Sequence, residues 1–446
     1  MRMRLASLSL LIAFFAVSAF AQSSGFDGVT AQANLVTEFD VNGLKVIYKR
    51  RPNSATVSSG LFIRGGARNI TAKNAGIEAL MLATAVEAGK NINRQTVRRE
   101  LSSRGSVINT GVSNDFSVIG IATTKPDFPR VFEIFSDLVL NPAFAEDDIK
   151  RNKDIRLASL REAGSVPEAA LDTMQDRVIY AGHPYANDIN GTPASIAAIT
   201  AADLRAYHKQ MMETSRLLFV VVGDLEVGEL TKQLTATFSK LPKGTYKDPP
   251  YPAIDFSKGT LDVTQRALPT NYVKGVFAAP SIGNPDYYAM RVAMSILQTL
   301  VYQKVRGELQ LSYAPDADMD SFAANTANIS VSTTDPNRAV TAMVEQIKFL
   351  QERQLNPSVI DEIASFFLTR HYIGQETSTA QVAELAKYEL IGGGWRNSFQ
   401  FLNGVRSVKP EDIRTVANKY MKNIRYVYIG DPAVFKRESF VVTASE

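Results

Sequence analysis

Ala122-Thr123-Thr124-Lys125-Pro126 recurs 210 residues later as Ser332-Thr333-Thr334-Asp335-Pro336. Outward from this pair, Leu140-Asn141-Pro142 matches Leu355-Asn356-Pro357. Ala202-Asp203-Leu204-Arg205 matches Glu411-Asp412-Ile413-Arg414. These last two blocks each lead into an apolar run ending in Gly-Asp: Val220-Val221-Val222-Gly223-Asp224 and Val427-Tyr428-Ile429-Gly430-Asp431. Each match is weak alone, but four in one order at near-constant spacing indicate a duplication. The unit of roughly 210 residues is far too long for a solenoid repeat.

The joint is readable. Lys240-Leu241-Pro242-Lys243-Gly244 closes the first unit, and Lys247 to Pro252 carries three prolines. Such a stretch suits a stiff connector. The expected organisation is a unit over 22–241, a linker over 242–258 and a second unit over 259–446. Within the first unit, Thr56 to Ile63 alternates and is β-branched, as strands are. Asn74 to Ala88 has helical spacing. Asn109 to Ala122 reads as a hairpin around Ser113-Asn114. Pro126 to Leu140 predicts an amphipathic helix with Pro126 in its first turn. Two more helices follow, Glu146 to Glu162 and Pro167 to Tyr180. Strands and helices do not alternate simply, so α+β is favoured over a doubly wound sheet.

Composition narrows the chemistry. The chain has 446 residues, 45% hydrophobic and 21% charged, which suits folded domains with real cores. It has no cysteine, excluding thiol catalysis, iron–sulfur clusters and Cys-bound zinc. Its histidines are three: His183, His208 and His371. A net charge of +4 is too small to argue for nucleic acid. Arg2 and Arg4, the apolar run Leu5 to Phe20 and Ala19-Phe20-Ala21 read as a secretory signal peptide over 1–21. The expected destination is a bacterial periplasm or another secretory space, with no transmembrane anchor.

Gly65-Gly66-Ala67-Arg68 followed by Gly76-Ile77-Glu78-Ala79 resembles the opening of the zinc peptidase family M16, which includes pitrilysin, insulin-degrading enzyme and the mitochondrial processing peptidase. Leu140-Asn141-Pro142, His183-Pro184-Tyr185 through Gly191-Thr192 and Val222-Gly223-Asp224 extend the likeness over nearly all of the chain beyond residue 21. The resemblance implies two LuxS/MPP-like α/β-sandwich halves forming a clam-shell. It also implies a peptide-cleaving site built on H-x-x-E-H. Two His one helical turn apart bind zinc, the Glu activates a water, and a Glu on a later helix completes the coordination. Here those positions are Ala79, Leu82 and Ala83, and the last falls near Ser159. No ligand and no base is present. None of the three histidines has the spacing to replace them, so a structural role is expected for each. This chain is expected to bind no cofactor and to catalyse nothing alone.

The second unit keeps something. Active members resemble one another in R-x-x-x-G-L-x-Y, and this chain has Arg306-Gly307-Glu308-Leu309-Gln310-Leu311-Ser312-Tyr313. By resemblance, Arg306 and Tyr313 hold the substrate backbone and stabilise the oxyanion at a zinc site in an opposing half. The alternative is a surface ion pair, Arg306 with Glu308, and a core tyrosine. Gln310 stands where glycine is usual, and Ser295-Ile296-Leu297-Gln298-Thr299 where a glycine-rich loop is common. Gly392-Gly393-Gly394-Trp395 lacks the Lys-Ser/Thr of a phosphate loop and reads as a flexible connection. Arg98-Arg99 and Lys150-Arg151-Asn152-Lys153 read as solvated helix faces. The expectation is a non-catalytic subunit of a heterodimeric metallopeptidase, which carries Arg306 and Tyr313 to the peptide site of a zinc-bearing partner chain. The rivals are an inactive peptide-binding or scaffold protein of the same fold and an enzyme of unrelated chemistry.

Overall fold

A computed structural model describes residues 25–440. The signal-peptide stretch 1–21 lies outside them. The first sheet has six strands, β1 (Val36–Val41), β2 (Leu44–Arg50), β3 (Thr56–Arg64), β4 (Val107–Val112), β5 (Phe116–Thr124) and β6 (Leu217–Gly223), in the order β1-β2-β6-β3-β5-β4. The second has five, β7 (Thr260–Gln265), β8 (Asn271–Ala278), β9 (Asp316–Met319), β10 (Thr326–Thr333) and β11 (Arg425–Gly430), in the order β7-β11-β8-β10-β9. The duplication is visible strand by strand. β2 runs parallel to β6, as β7 does to β11, and the remaining pairs are antiparallel in both sheets. The fold is α+β with two sheets, as the sequence predicts.

Helices cover these sheets. The first half has α1 (Ile77–Ala85), α2 (Arg94–Ser103), α3 (Phe128–Leu140), α4 (Glu146–Ser165), α5 (Pro167–Ile179), α6 (Pro193–Ala198), α7 (Ala201–Met211) and α8 (Val227–Phe238). The second has α9 (Tyr287–Val301), α10 (Pro336–Glu352), α11 (Ser358–Gly374), α12 (Ser378–Ile391), α13 (Phe401–Arg406) and α14 (Pro410–Tyr420). α3 starts two residues later than the periodicity predicts, so its first-turn proline is Pro129 and not Pro126. α7 begins at a capping box, where Thr200 accepts from the Asp203 amide and Asp203 accepts from the Thr200 amide.

β6 reads Leu217-Leu218-Phe219-Val220-Val221-Val222-Gly223 and is buried throughout, because both its faces are covered. On one face Phe219 meets Phe132, Phe135 and Phe238. The other face is covered by a helix of the opposite half. Val382, Leu385 and Ala386 of α12 pack among Ile47, Phe62, Leu218 and Val220. Reciprocally, Leu171 and Met174 of α5 pack against Val427 and Ile429 of β11. Each half therefore supplies one layer of the other's sandwich.

Residues 244–256 contain no helix or strand, yet they are not a free tether. Asp248 pairs with Arg68 at 2.9 Å, the Arg68 guanidinium lies 3.5 Å from the Tyr251 ring centre, and the Tyr251 hydroxyl donates to the Asn114 carbonyl. The Gly392–Gly394 stretch is also tighter than its composition implies. The Gly392 and Gly394 amides both donate to the Tyr388 carbonyl, making an ordered turn after α12.

Candidate functional site

The zinc-motif positions fall on α1, which packs on α4, α7 and β4. Two glycines set its approach. Gly66 has φ +48°, and a Cβ there would lie 2.4 Å from the Asn114 carbonyl oxygen. Gly76 caps α1 in the left-handed region at φ +81°, against the Gly191 backbone. The backbone entry to the motif is thus retained while the chemistry is gone. Ala79 and Leu82 are buried, Ala83 is half-buried, and none offers a lone pair. Ser159, on α4, is exposed, and its hydroxyl donates to the Ile155 carbonyl. These residues do not fit a zinc ion. Among the described residues, no group of three or more His, Asp or Glu stands ready to hold a metal.

The position before the motif holds a residue to which the sequence reading gave no role. Glu78 is almost fully buried on α1, and its carboxyl accepts from the Tyr207 hydroxyl of α7 and from the Asn69 amide. Burial pushes its pKa above the usual carboxylate range. It ties α1 to α7 and to the turn after β3. Its signal was its place, a lone carboxylate in an otherwise apolar helix.

His183 and His208 are held by contacts within the fold, whereas His371 lines a cavity of the second half. His183 accepts from the Tyr185 amide at Nδ1 and stacks on Tyr251, and burial with the nearby Arg68 brings its pKa down to about 4. His208 Nε2 lies 2.7 Å from the Val139 carbonyl, and its ring packs on Phe144. His371 is brought down to about 4 by burial and then by Lys49. The His183-Pro184-Tyr185 block builds the junction between halves. The Tyr185 hydroxyl donates to Asp115 and accepts from the Ala324 amide, and Asp115 also accepts from the Ala323 amide.

Arg306 and Tyr313 come together. Arg306 lies on a π-helical turn, Tyr302–Glu308, that continues α9. Its Nη1 donates to the Tyr313 carbonyl at 2.9 Å, and its guanidinium lies 4.0 Å from the Tyr313 ring centre and 5.0 Å from that of Tyr302. The two alternative roles fail. Tyr313 is 79% exposed and so not a core residue, and Glu308 pairs with Lys304 rather than Arg306. Gln310 takes φ +54°, the left-handed conformation that a glycine would supply, so the turn survives the substitution. Ser295–Thr299 is continuous helix within α9. The result is a cation–π pair on the surface, with the phenol hydroxyl unbonded to any described residue.

Residues 45–193 match the family model described as insulinase, peptidase family M16, and residues 198–365 match that of the peptidase M16 inactive domain. The chain belongs to peptidase family M16. The second match begins inside the first structural half, so it does not mark the joint between the sheets. The β subunit of the mitochondrial-processing peptidase of Saccharomyces cerevisiae is 21% identical over 428 residues, covering 90% of this chain and 92% of that protein. Subunit 1 of the bovine cytochrome b-c1 complex is 24% identical over 295 residues, 66% of this chain and 59% of that one. Among solved structures, a protease from Helicobacter pylori superposes with a TM-score of 0.80 at 17% identity, covering 89% of this chain and 99% of that one. A peptidase M16 inactive domain from Pseudomonas fluorescens gives 0.78 at 18% identity, with 90% and 99% covered.

Proposed function

We propose that this chain is the non-catalytic subunit of a periplasmic heterodimeric M16 zinc metallopeptidase, and that it supplies Arg306 and Tyr313 to the peptide site of a zinc-bearing partner chain. The observation that carries the reading is a split: every metal and base position is lost on α1 and α4, while the cation–phenol pair stands exposed and preorganised. A guanidinium fixed by one arm keeps its other N–H groups for a peptide carbonyl. An unbonded phenol hydroxyl is a ready donor to the negative charge of a tetrahedral intermediate. Exposure fits groups that act on something outside their own chain. The zinc belongs to the partner in this reading, and the signal sequence directs this chain out of the cytoplasm. A second reading is a scaffold subunit with no proteolytic partner, and it is supported only in that the bovine relative is named as a subunit of a larger complex.

The test is to tag this chain in its native host, purify it and identify what comes with it. An H-x-x-E-H chain in equal amount, with chelator-sensitive peptide cleavage that neither chain shows alone, is the expected result. Recovery of a stable assembly without such a chain and without cleavage leaves the scaffold reading.

A further inference from the structure

α9, β9 and α11 occupy in the second half the topological places of α1, β4 and α4 in the first. Between them and α12 lies a cavity of about 740 Å³. Its volume falls in the range of small-molecule and peptide-end sites. Three cations from three helices line it: Arg291 of α9, Arg370 of α11 and Lys387 of α12. Arg370 and Lys387 have no hydrogen bond or ion pair among the described residues, and Arg291 Nη1 donates only to the Met319 carbonyl. Burial lowers the Lys387 pKa, so this ammonium is partly dehydrated without a carboxylate in contact. Glu384, on the same wall, already accepts from Gln375 and is shared electrostatically with Lys387 and Lys49. Glu384, Asp316 and Asp318 share the lining with these three cations, yet among the described residues none of the cations is in an ion pair with a carboxylate.

Two other features restrict what fits. Tyr287, Phe367 and Phe401 give the cavity an apolar wall, which a bare inorganic anion would not use. Asp316 and Asp318 also line it from exposed positions on β9, and their carboxyls are acceptors for N–H groups. We infer that this cavity binds the C-terminal end of a peptide, with the α-carboxylate at Lys387, Arg291 and Arg370, the last side chain on the aromatic wall, and amide N–H groups at Asp316 and Asp318. The inference rests on the cavity of this chain alone and is independent of a partner subunit.

Calorimetric titration of the purified chain tests it, with acetyl-Ala-Ala-Phe as the free acid, the same peptide as its C-terminal amide, acetyl-Ala-Glu-Ala amide, and inorganic phosphate. The free acid should bind at least tenfold more tightly than either amide, and phosphate should not compete. Lys387→Met keeps the aliphatic stem and should weaken the free acid tenfold or more, with a melting temperature equal to or above that of the unmodified chain. Arg370→Gln, at an exposed position, should weaken it by a few-fold without touching the fold. Equal binding of acid and amide, no binding of either, or affinity unchanged in both variants overturns the proposal. Tight binding of the glutamyl amide makes the ligand an acidic side chain and overturns the terminal assignment, and competition by phosphate makes the site a general anion trap.

Discussion

The two halves share a scaffold and differ in what it carries. In the first, α1 presents Ala79, Leu82 and Ala83 where this fold places its metal chemistry, and the helix is packed into an apolar cluster. In the second, α9 occupies the same topological place, presents Arg291 to a cavity and runs on into the turn that carries Arg306. Backbone requirements were kept in both: glycines at φ +48° and +81° ahead of α1, and a left-handed Gln310 before Tyr313. A duplicated fold thus holds its strand order and turns by sterics alone, while each half changes its side-chain chemistry independently.

The contrast is broken most forcefully by returning the motif to the first half. Ala79→His, Leu82→Glu and Ala83→His together place imidazoles and a carboxylate among Leu80, Met81 and their apolar neighbours. No ligand waits at Ser159, and a zinc site needs groups that orient its ligands as well as the ligands themselves. Each unsatisfied buried polar group costs about 1–3 kcal/mol, with overpacking at Ala79 in addition. The triple variant should unfold at much lower urea than the unmodified chain and take up no stoichiometric zinc. A stable, zinc-loaded triple variant would show that the first half kept its preorganised pocket.

Next in size is the retained chemistry of the second half. Within a purified pair with an H-x-x-E-H chain, Tyr313→Phe removes the free hydroxyl and keeps the ring under Arg306. Loss of one oxyanion donor should cut turnover roughly 10²–10³-fold. Assembly should persist, since an exposed ring contributes little to a distributed interface. Full turnover in Tyr313→Phe would place Arg306 and Tyr313 outside the chemistry and favour a scaffold.

Much of this comparison was legible in residue order. The repeat blocks fixed two units, because a duplicated topology must repeat its turns, and the lost ligands at Ala79, Leu82 and Ala83 are read directly. The β1–β2 hairpin was missed although Asn42-Gly43, at φ +54° and +87°, is a strong two-residue turn signal. The exchange of α5 and α12 was not legible, since a buried face in sequence does not say whose sheet buries it. The cavity was hidden for the same reason. Arg291, Arg370 and Lys387 are far apart along the chain and ordinary one by one.

The smallest effect sharpens the comparison at the two crossing helices. α12 meets its sheet through Val382, Leu385 and Ala386 and pairs Glu389 with Lys45 of β2, whereas α5 adds two acids, Asp172 and Asp176, to its apolar contact through Leu171 and Met174. Asp172 pairs with Lys274 of β8, and Asp176, one turn on, lies near Asp172, Asp188 and Asp320. Burial first, then Asp172 and Asp188, with Lys274 opposing and Asp320 adding, push Asp176 up to about 7. A carboxyl raised in the fold above its ordinary value near 3.8 keeps its proton longer than in the unfolded chain. Its contribution is therefore complete in acid, declines as pH rises from about 4, and is gone above about 7. Asp176→Asn fixes the neutral state. It should leave stability unchanged near pH 4 and raise it at pH 8, by roughly 1 kcal/mol because water partly screens this half-buried group. Titrating groups remote from Asp176 are common to both proteins and cancel in the difference, which leaves Asp176 and the acids coupled to it, Asp172, Asp188 and Asp320. Melting curves at pH 4, 6 and 8 measure it, as a gap between variant and unmodified chain that widens with pH. A gap constant across that range would mean that Asp176 ionises normally and that the α5 contact is no more sensitive to pH than that of α12.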